Sequence, residues 1–250
     1  LAENLRFFAG EESNDEKFAR ALGKLGDAFV NDAFSVAHRA HASTEGLARI
    51  MPAAAGRSMQ SELEALEIAL ANPKRPVVAI IGGAKVSTKL DVLTNLTSKV
   101  DRLVIGGAMA NTFLYAQGTD VGSSLCEKGM VGAAQAVIKN AAKVGCKLIL
   151  PSDVVIAEQL ELGTIGESVH ISAVPPNMMI LDIGTNTAQA IAAELESCKT
   201  LLWNGPLGAF EYPPFDGGTR VVSRAAAELT TQSKLHSIAG GGDTIAALAS

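Results

Sequence analysis

From Val77 onward, one pattern recurs six times: a short apolar run that ends in glycine or a polar turn. VVAII precedes Gly82-Gly83, LVI precedes Gly106-Gly107, and LIL precedes Pro151. MMIL, LLW and SIA follow, ahead of Asp182, Asn204-Gly205 and Gly240. Between the runs the apolar spacing is helical, as in Val86, Leu90, Leu93 and Val100. The same spacing joins Ala188, Ile191 and Leu195, and again Val222, Ala225 and Leu229. Strands alternating with helices predict βαβ units and a parallel sheet covered on both faces. Ligands of such sheets sit beyond the carboxyl ends of the strands, which is where these glycines fall.

The first sixty residues read differently. They hold one strand-like run, AFVNDAF, many small residues, and the positive groups Arg6, His38, Arg39 and His41. MQSELEALEIALANP then places Met59, Leu63, Leu66 and Leu70 on one helical face, and Pro73 closes the helix. A single amphipathic helix over 59–72 therefore connects a small part, 1–58, to a large part, 73–250.

Composition narrows the picture. With 250 residues and 48% hydrophobic content the chain can bury a core for one large domain, or for a large and a small one. A net charge of −5 offers no broad basic surface for nucleic acid, so any bound anion must be met by a local cluster. Three cysteines, Cys126, Cys146 and Cys198, lack metal-ligand spacing and read as reduced residues of a cytoplasmic protein. No apolar run approaches the ~18 residues of a membrane span, and the first residues lack a signal-peptide pattern. The chain starts at Leu1 almost inside a motif, LAENLRF, and stops at IAALAS in the first turns of an expected helix. A piece of a longer protein is expected.

The glycine loops raise a chemical question. In GGAKVSTK, a helix beginning near Lys85 would set Lys85 and Lys89 on one face of its first turns. Like charges there repel, and cations oppose the helix dipole, unless an anion compensates them. Either an anion sits there, or the lysines are a solvated pair behind a tight turn. In IAGGGDT, Asp243 either holds magnesium beside a phosphate-wrapping loop or caps a helix. In WNGPLGAFE, Glu211 either receives a ribose hydroxyl or is a surface acid on a turn. The glycines of IGGAMANTF serve either a ligand or close packing of helix on strand. Arg39, between His38 and His41, either forks onto a carboxylate or phosphate or joins a structural hydrogen-bond network, and Arg6 shares the ambiguity. Taken together, glycine loops at several strand ends, two lysines and a terminal aspartate describe a nucleotide-phosphate pocket.

Six blocks, ENLRF (3–7), NDAF..AHRAHAS (31–43), GGAKVSTK (82–89), GGAMANTF (106–113), WNGPLGAFE (203–211) and GGGDT (240–244), in this order closely resemble phosphoglycerate kinase. The resemblance implies two Rossmann-like α/β domains. Residues 73–250 would be the magnesium-nucleotide domain and 1–58 a remnant of the phosphoglycerate domain, with 59–72 as the interdomain helix. It implies reversible phosphoryl transfer between 1,3-bisphosphoglycerate and ADP, giving 3-phosphoglycerate and ATP, with Mg2+ accompanying the nucleotide. Arg6 and Arg39 would bind phosphoglycerate. Lys85 would stabilise the transferring phosphoryl group with Arg39, and Lys89 would hold nucleotide phosphates. Gly83, Gly107, Leu181, Asn204 and Pro206 would line the nucleotide pocket, and Glu211 would meet the ribose. Gly241, Gly242 and Thr244 would cradle phosphates, and Asp243 would ligate magnesium. A cytoplasmic monomer acting on small molecules, without nucleic acid or membrane, is expected.

The chain departs from the family pattern at Ile180, where a glycine is common, at Ser152, where an acid is usual, and at Thr185, where a proline is common. The upstream segment of the phosphoglycerate domain and a further C-terminal glycine loop are missing. A nucleotide-binding fragment without turnover is therefore the second reading. A dinucleotide-dependent oxidoreductase ranks last, because GGAKVSTK does not supply G-x-G-x-x-G.

Overall fold

The computed structural model describes residues 2–37 and 39–249. His38 lies outside the described residues, as do the side chains of Leu66 and Leu70. The chain divides into two compact units, Leu1–Ala71 and Asn72–Ser250.

The first unit contains helices α1 (Ala9–Glu12) and α2 (Glu16–Gly23), strand β1 (Phe29–Asn31), helix α3 (Leu47–Ile50), strand β2 (Ala53–Ala55) and helix α4 (Arg57–Ala71). AFVNDAF yields only the three residues of β1, which pair in parallel with β2. Asp15 caps α2 by accepting the Phe18 N–H at 2.8 Å, which satisfies one of the free donors of a helix start. Across the loop, the Asp32 carboxylate accepts the Met59 N–H at 2.9 Å near the start of α4. Of the face expected on α4, Met59 is buried, whereas Leu63 is exposed.

The second unit is built on β3 (Val77–Ile81), β4 (Arg102–Ile105), β5 (Lys147–Ile149), β9 (Thr200–Asn204) and β10 (His236–Ala239), wholly parallel and ordered β10-β9-β3-β4-β5. Helices α5 (Leu90–Thr97), α6 (Ala108–Ala116) and α7 (Val131–Val144) cover one face. Helices α8 (Thr185–Glu196) and α9 (Gly217–Thr231) cover the other, and α10 (Gly242–Ala249) follows β10. The unbroken apolar run of β3 now has its reason. Val77, Ala79 and Ile81 face Leu93 of α5 and Phe113 of α6, while Val78 and Ile80 face Ile191 of α8 and Val222 of α9. Each completely buried branched side chain of this kind stabilises by about 1.5–3 kcal/mol.

One expectation is corrected. MMIL does not join the parallel sheet. It lies in β8 (Met179–Ile183), which pairs antiparallel with β6 (Asp153–Ala157), itself paired with β7 (Glu167–His170). This small sheet buries Val154, Ile156 and Ile180 against Leu114 at the end of α6, forming a separate core. The expected α/β architecture, a Rossmann-like parallel sheet with helices on both faces beside part of a second α/β unit, otherwise stands.

Candidate nucleotide site

Strand order reverses between β3 and β9, because chain progress runs outward to β4 and β5 on one side and to β9 and β10 on the other. Doubly wound sheets open their ligand crevice at such a switch point. The loops that leave β3, β4 and β9 there are locked together through their backbones. The Gly82 N–H donates to the Asn204 carbonyl at 2.9 Å, and the Gly107 N–H donates to the Leu207 carbonyl at 2.9 Å. The Met109 N–H donates to the Gly83 carbonyl at 3.0 Å. No side chain fits at the crossing points. A Cβ on Gly205 (φ +96°) would lie 2.3 Å from the Gly82 oxygen, and one on Gly107 (φ +66°) 2.6 Å from the Gly83 oxygen. Both residues adopt backbone angles that side chains rarely reach. Packing and ligand access therefore share these glycines: Gly107 is at once a contact and part of the cavity wall.

Beside these loops lies a cavity of about 350 Å³. Of the residues expected to meet the nucleotide, Gly83, Gly107, Leu181, Pro206, Glu211 and Asp243 line it. Apolar side chains, among them Val154, Met179 and Ile180, form much of the remaining wall. Ile180, where the resemblance led a glycine to be expected, is part of this wall. Lys85, Lys89, Asn204, Gly241, Gly242 and Thr244 stand outside the wall.

The two lysines are not partners on a helix face, which corrects the sequence reading. Residues 84–86 are irregular, 87–89 form a turn, and α5 starts only at Leu90. Val86 is buried, and Ser87 gives its N–H (3.0 Å) and hydroxyl (2.6 Å) to the Glu127 carboxylate, so the segment is held out of helical register. Those Ser87 bonds, helped by nearby Lys85, hold Glu127 below the usual carboxylate range. Lys85 is exposed, and among the described residues no ion pair holds it.

Lys89 is half-buried. Its Nζ donates to the Gly82 carbonyl at 2.6 Å, to Asn204 Oδ1 at 2.5 Å and to the Asn204 carbonyl at 3.3 Å. An ammonium has three protons, so Lys89 clamps the β3 and β9 loops with all of them. Burial pushes its pKa below the ordinary lysine value, against the pull of Asp243. Asn204 completes the clamp by donating from Nδ2 to the Gly240 carbonyl at 2.8 Å. Buried Thr244 ties in the last loop: its hydroxyl accepts the Gly205 N–H at 2.6 Å and donates to the Gly240 carbonyl at 2.7 Å. Gly241 (φ +97°) precedes α10, and Gly242 begins it. Asp243 therefore lies inside the first turn and does not cap the helix, which corrects that alternative.

Two buried acids next to the cavity escaped the sequence reading. Asp182, at the end of MMIL, lines the wall, and its carboxylate accepts the Ile183 N–H (2.8 Å) and the Gly218 N–H (2.7 Å). Burial raises its pKa to about 7, more than those two N–H donors lower it, and the charge of Asp216 adds to the rise. Asp153 is buried too, but it accepts the N–H groups of Asn186 and Thr187 and the Thr187 hydroxyl at the start of α8. Against the upward push of burial, those bonds bring its pKa below the ordinary value. An acid directly after an apolar run was the one signal of Asp182 in the sequence.

Among the described residues no cluster of three or more His, Cys, Asp or Glu could cage a metal. Of the three acids among the described residues that line the cavity, Asp182, Glu211 and Asp243, Asp243 is the one whose charge acts on Lys89. A single carboxylate fits magnesium that arrives coordinated by phosphates and does not fit a resident metal, since Mg2+ is commonly held by one or two carboxylates plus substrate oxygens.

In the first unit, Arg6 lies in a short 3-10 turn, with Nε 3.8 Å from Glu12 Oε1. His41 belongs to a structural network: its Nδ1 lies 3.7 Å from the buried Glu11, which also accepts the N–H and hydroxyl of Ser43. Arg39 takes no part in that network through its side chain. Among the described residues it has no ion pair, and it borders a concavity lined also by Phe29, Asn31 and Met59. The structure records no bond between Arg6 and Arg39.

Fold and site together define a Rossmann-like α/β protein with a ligand cavity at its switch point. The phosphoglycerate kinase family model matches residues 1–250, and the chain belongs to that family. It is 59% identical over 248 residues to the phosphoglycerate kinase of Rhizobium leguminosarum bv. trifolii, covering 99% of this chain and 62% of that protein. It is 58% identical to that of Cereibacter sphaeroides with the same coverage. Among solved structures it is similar to phosphoglycerate kinase from Coxiella burnetii, with TM-score 0.84, 46% identity, and coverage of 98% of this chain and 62% of the other. The Pyrococcus horikoshii structure aligns with TM-score 0.82 at 31% identity, covering 98% and 63%. The chain thus spans about 62% of the length of the curated relatives it matches.

Proposed function

We propose that the chain supplies the magnesium-nucleotide half of a phosphoglycerate kinase, binding ADP or ATP with Mg2+ at residues 73–250. The observation that carries this reading is the cavity at the β3/β9 switch point, walled by Gly83, Gly107 and Pro206, with Asp243 at its edge and the Lys89–Asn204 clamp behind it. The apolar part of the wall suits a base, Glu211 is available to ribose hydroxyls, and Asp243 would hold the nucleotide's magnesium. Lys89, Gly241, Gly242 and Thr244 support the phosphates chiefly by fixing the loops around them.

The reaction is phosphoryl transfer between 1,3-bisphosphoglycerate and ADP, giving 3-phosphoglycerate and ATP. Such transfer needs in-line positioning and positive charge around the transferring oxygens more than an acid–base pair. Lys85, exposed and free of an ion pair among the described residues, is the charge assigned to that phosphoryl group, together with Arg39. Arg6 and Arg39 of the first unit are assigned to phosphoglycerate. The segment 59–72 is assigned the role of interdomain helix, and 1–58 that of a phosphoglycerate-domain remnant. Magnesium, when bound with the nucleotide, neutralises phosphate charge. The setting proposed is a cytoplasmic monomer acting on small molecules. Among the described residues no helix is long and apolar enough to cross a membrane.

Calorimetric titration of this chain with ADP and magnesium tests the proposal. One-to-one binding is expected, and its absence from a folded chain overturns the reading. A coupled assay on the same sample then separates a turning-over enzyme from a fragment that binds without turnover.

A further inference from the structure

The segment that carries Lys85 is fastened at both ends to α6, the helix whose start walls the cavity. At its front, the Met109 N–H of α6 donates to the Gly83 carbonyl at 3.0 Å. At its rear, the Glu127 carboxylate grips Ser87 twice: Oε2 accepts the N–H at 3.0 Å and Oε1 the hydroxyl at 2.6 Å. Glu127 is itself set by α6, because its N–H donates to Oγ1 of buried Thr112 at 3.0 Å. Lys85 stands midway, two residues from each anchor. Its neighbours are fixed as well: Ala84 lines the cavity, and Val86 is wholly buried in the core with Leu93 and Phe113. The Thr88 hydroxyl closes the turn by donating to the Lys85 carbonyl at 2.9 Å.

The local sequence does not demand this shape. Val86, Leu90 and Leu93 keep helical spacing, so α5 could begin a turn earlier. Ser87 is exposed, where a hydrogen bond competes with water and adds little to stability. The grip acts on the form of the loop, and a loop held in form leaves less disorder for binding to remove from an exposed lysine. We propose that Glu127 is a positioning residue for phosphoryl transfer: by gripping Ser87 it holds Lys85 where its ammonium meets the terminal phosphate of a nucleoside triphosphate. The inference rests on the assignment of Lys85 to the transferring phosphoryl group and deepens it.

The test is calorimetry of this chain with ADP and with ATP at equal magnesium. Lys85→Ala should lower ATP affinity by at least about tenfold, the scale of a hydrogen bond to a charged group, and hold ADP affinity within about twofold. Glu127→Ala should reproduce that pattern, and Lys85→Ala added to it should cost less than about twofold more, because the two residues act as one. Loss of a negative charge alone would strengthen the binding of an anion, so a fall in ATP affinity has the opposite sign to a simple charge effect. Glu127→Gln, which keeps an oxygen for Ser87, should recover most of the ATP affinity. Ser87→Ala removes only the hydroxyl, should give a smaller loss of the same kind, and carries the test should Glu127→Ala disturb the fold. Variants at Glu127 and Ser87 that keep full ATP affinity, lose both nucleotides in parallel, or add their loss to that of Lys85→Ala overturn the inference and leave the nucleotide site standing. Unchanged ATP affinity in Lys85→Ala overturns the inference together with the Lys85 assignment. Binding of neither nucleotide by the wild-type chain overturns the nucleotide reading itself.

Discussion

Asp182 gives the sharpest handle on the second unit. Its carboxylate ties β8 to the start of α9 through the Ile183 and Gly218 N–H groups, and a Cβ on Gly208 would lie only 2.2 Å from Oδ1. That packing excludes water and holds its pKa at about 7, against an ordinary value of 3.8. Between those two values the folded chain keeps a proton that the unfolded chain has released. The stability contributed by the protonated group is fully present below the unfolded value and is lost as pH rises through about 7. Each decade of proton affinity corresponds to about 1.4 kcal/mol, so this one group should remove roughly 2–3 kcal/mol of stability between pH 5 and pH 8.

The perturbation is Asp182→Asn, which keeps the shape and abolishes the titration. The assay is urea unfolding at pH 5 and pH 8, followed by the fluorescence of Trp203. It is the sole tryptophan and sits buried on β9 of the same unit. The asparagine amino group opposes one of the two N–H donors, which adds a pH-independent contribution of about 1–3 kcal/mol to the difference. Other groups titrate alike in both proteins and cancel in the difference. The stability advantage of the wild type over the variant should therefore shrink by roughly 2–3 kcal/mol from pH 5 to pH 8. Parallel pH profiles for the two proteins would refute the reasoning.

Lys89→Met removes the donor that serves Gly82 and Asn204, and two or more stranded acceptors should lower stability by about 1–3 kcal/mol per acceptor. Thermal scanning should show a fall in Tm with weakened ADP binding, and an unchanged Tm would contradict the clamp. Gly107→Ala forces a side chain toward the Gly83 oxygen at a left-handed backbone position, with an expected loss of about 1–3 kcal/mol. Urea unfolding measures that loss, and calorimetry should show ADP affinity falling at least about tenfold by the affinity arithmetic. Asp243→Ala should reduce ADP affinity in magnesium but not in EDTA, and an equal loss in both would remove the metal from its role.

What could be read from the sequence was what the backbone and local burial dictate. VVAII and LVI announced β3 and β4 because strands covered on both faces must be apolar at every position. The paired glycines marked strand ends because no side chain fits where loops cross. Met179–Ile183 was recognisable as a strand, yet its sheet was not, since its partner is chosen by pairing with Val154–Ala157 and not by its own composition. Glu167–His170 left no apolar signal because most of it is exposed on the free side of a small sheet. The lysines misled for a related reason: helical spacing from Val86 to Val100 hid the Ser87–Glu127 contact across forty residues, which delays α5 until Leu90. Lys89 became legible as a clamp only when Asn204 arrived beside it from β9. Asn111, whose buried Oδ1 finds no hydrogen-bond partner among the described residues, was the hardest of all. Nothing in GGAMANTF distinguishes a satisfied asparagine from an orphaned one, because the missing partner is a property of the whole fold. The glycine turns proposed to meet a ligand were legible locally, whereas a missing hydrogen-bond partner depends on what the rest of the chain fails to bring near.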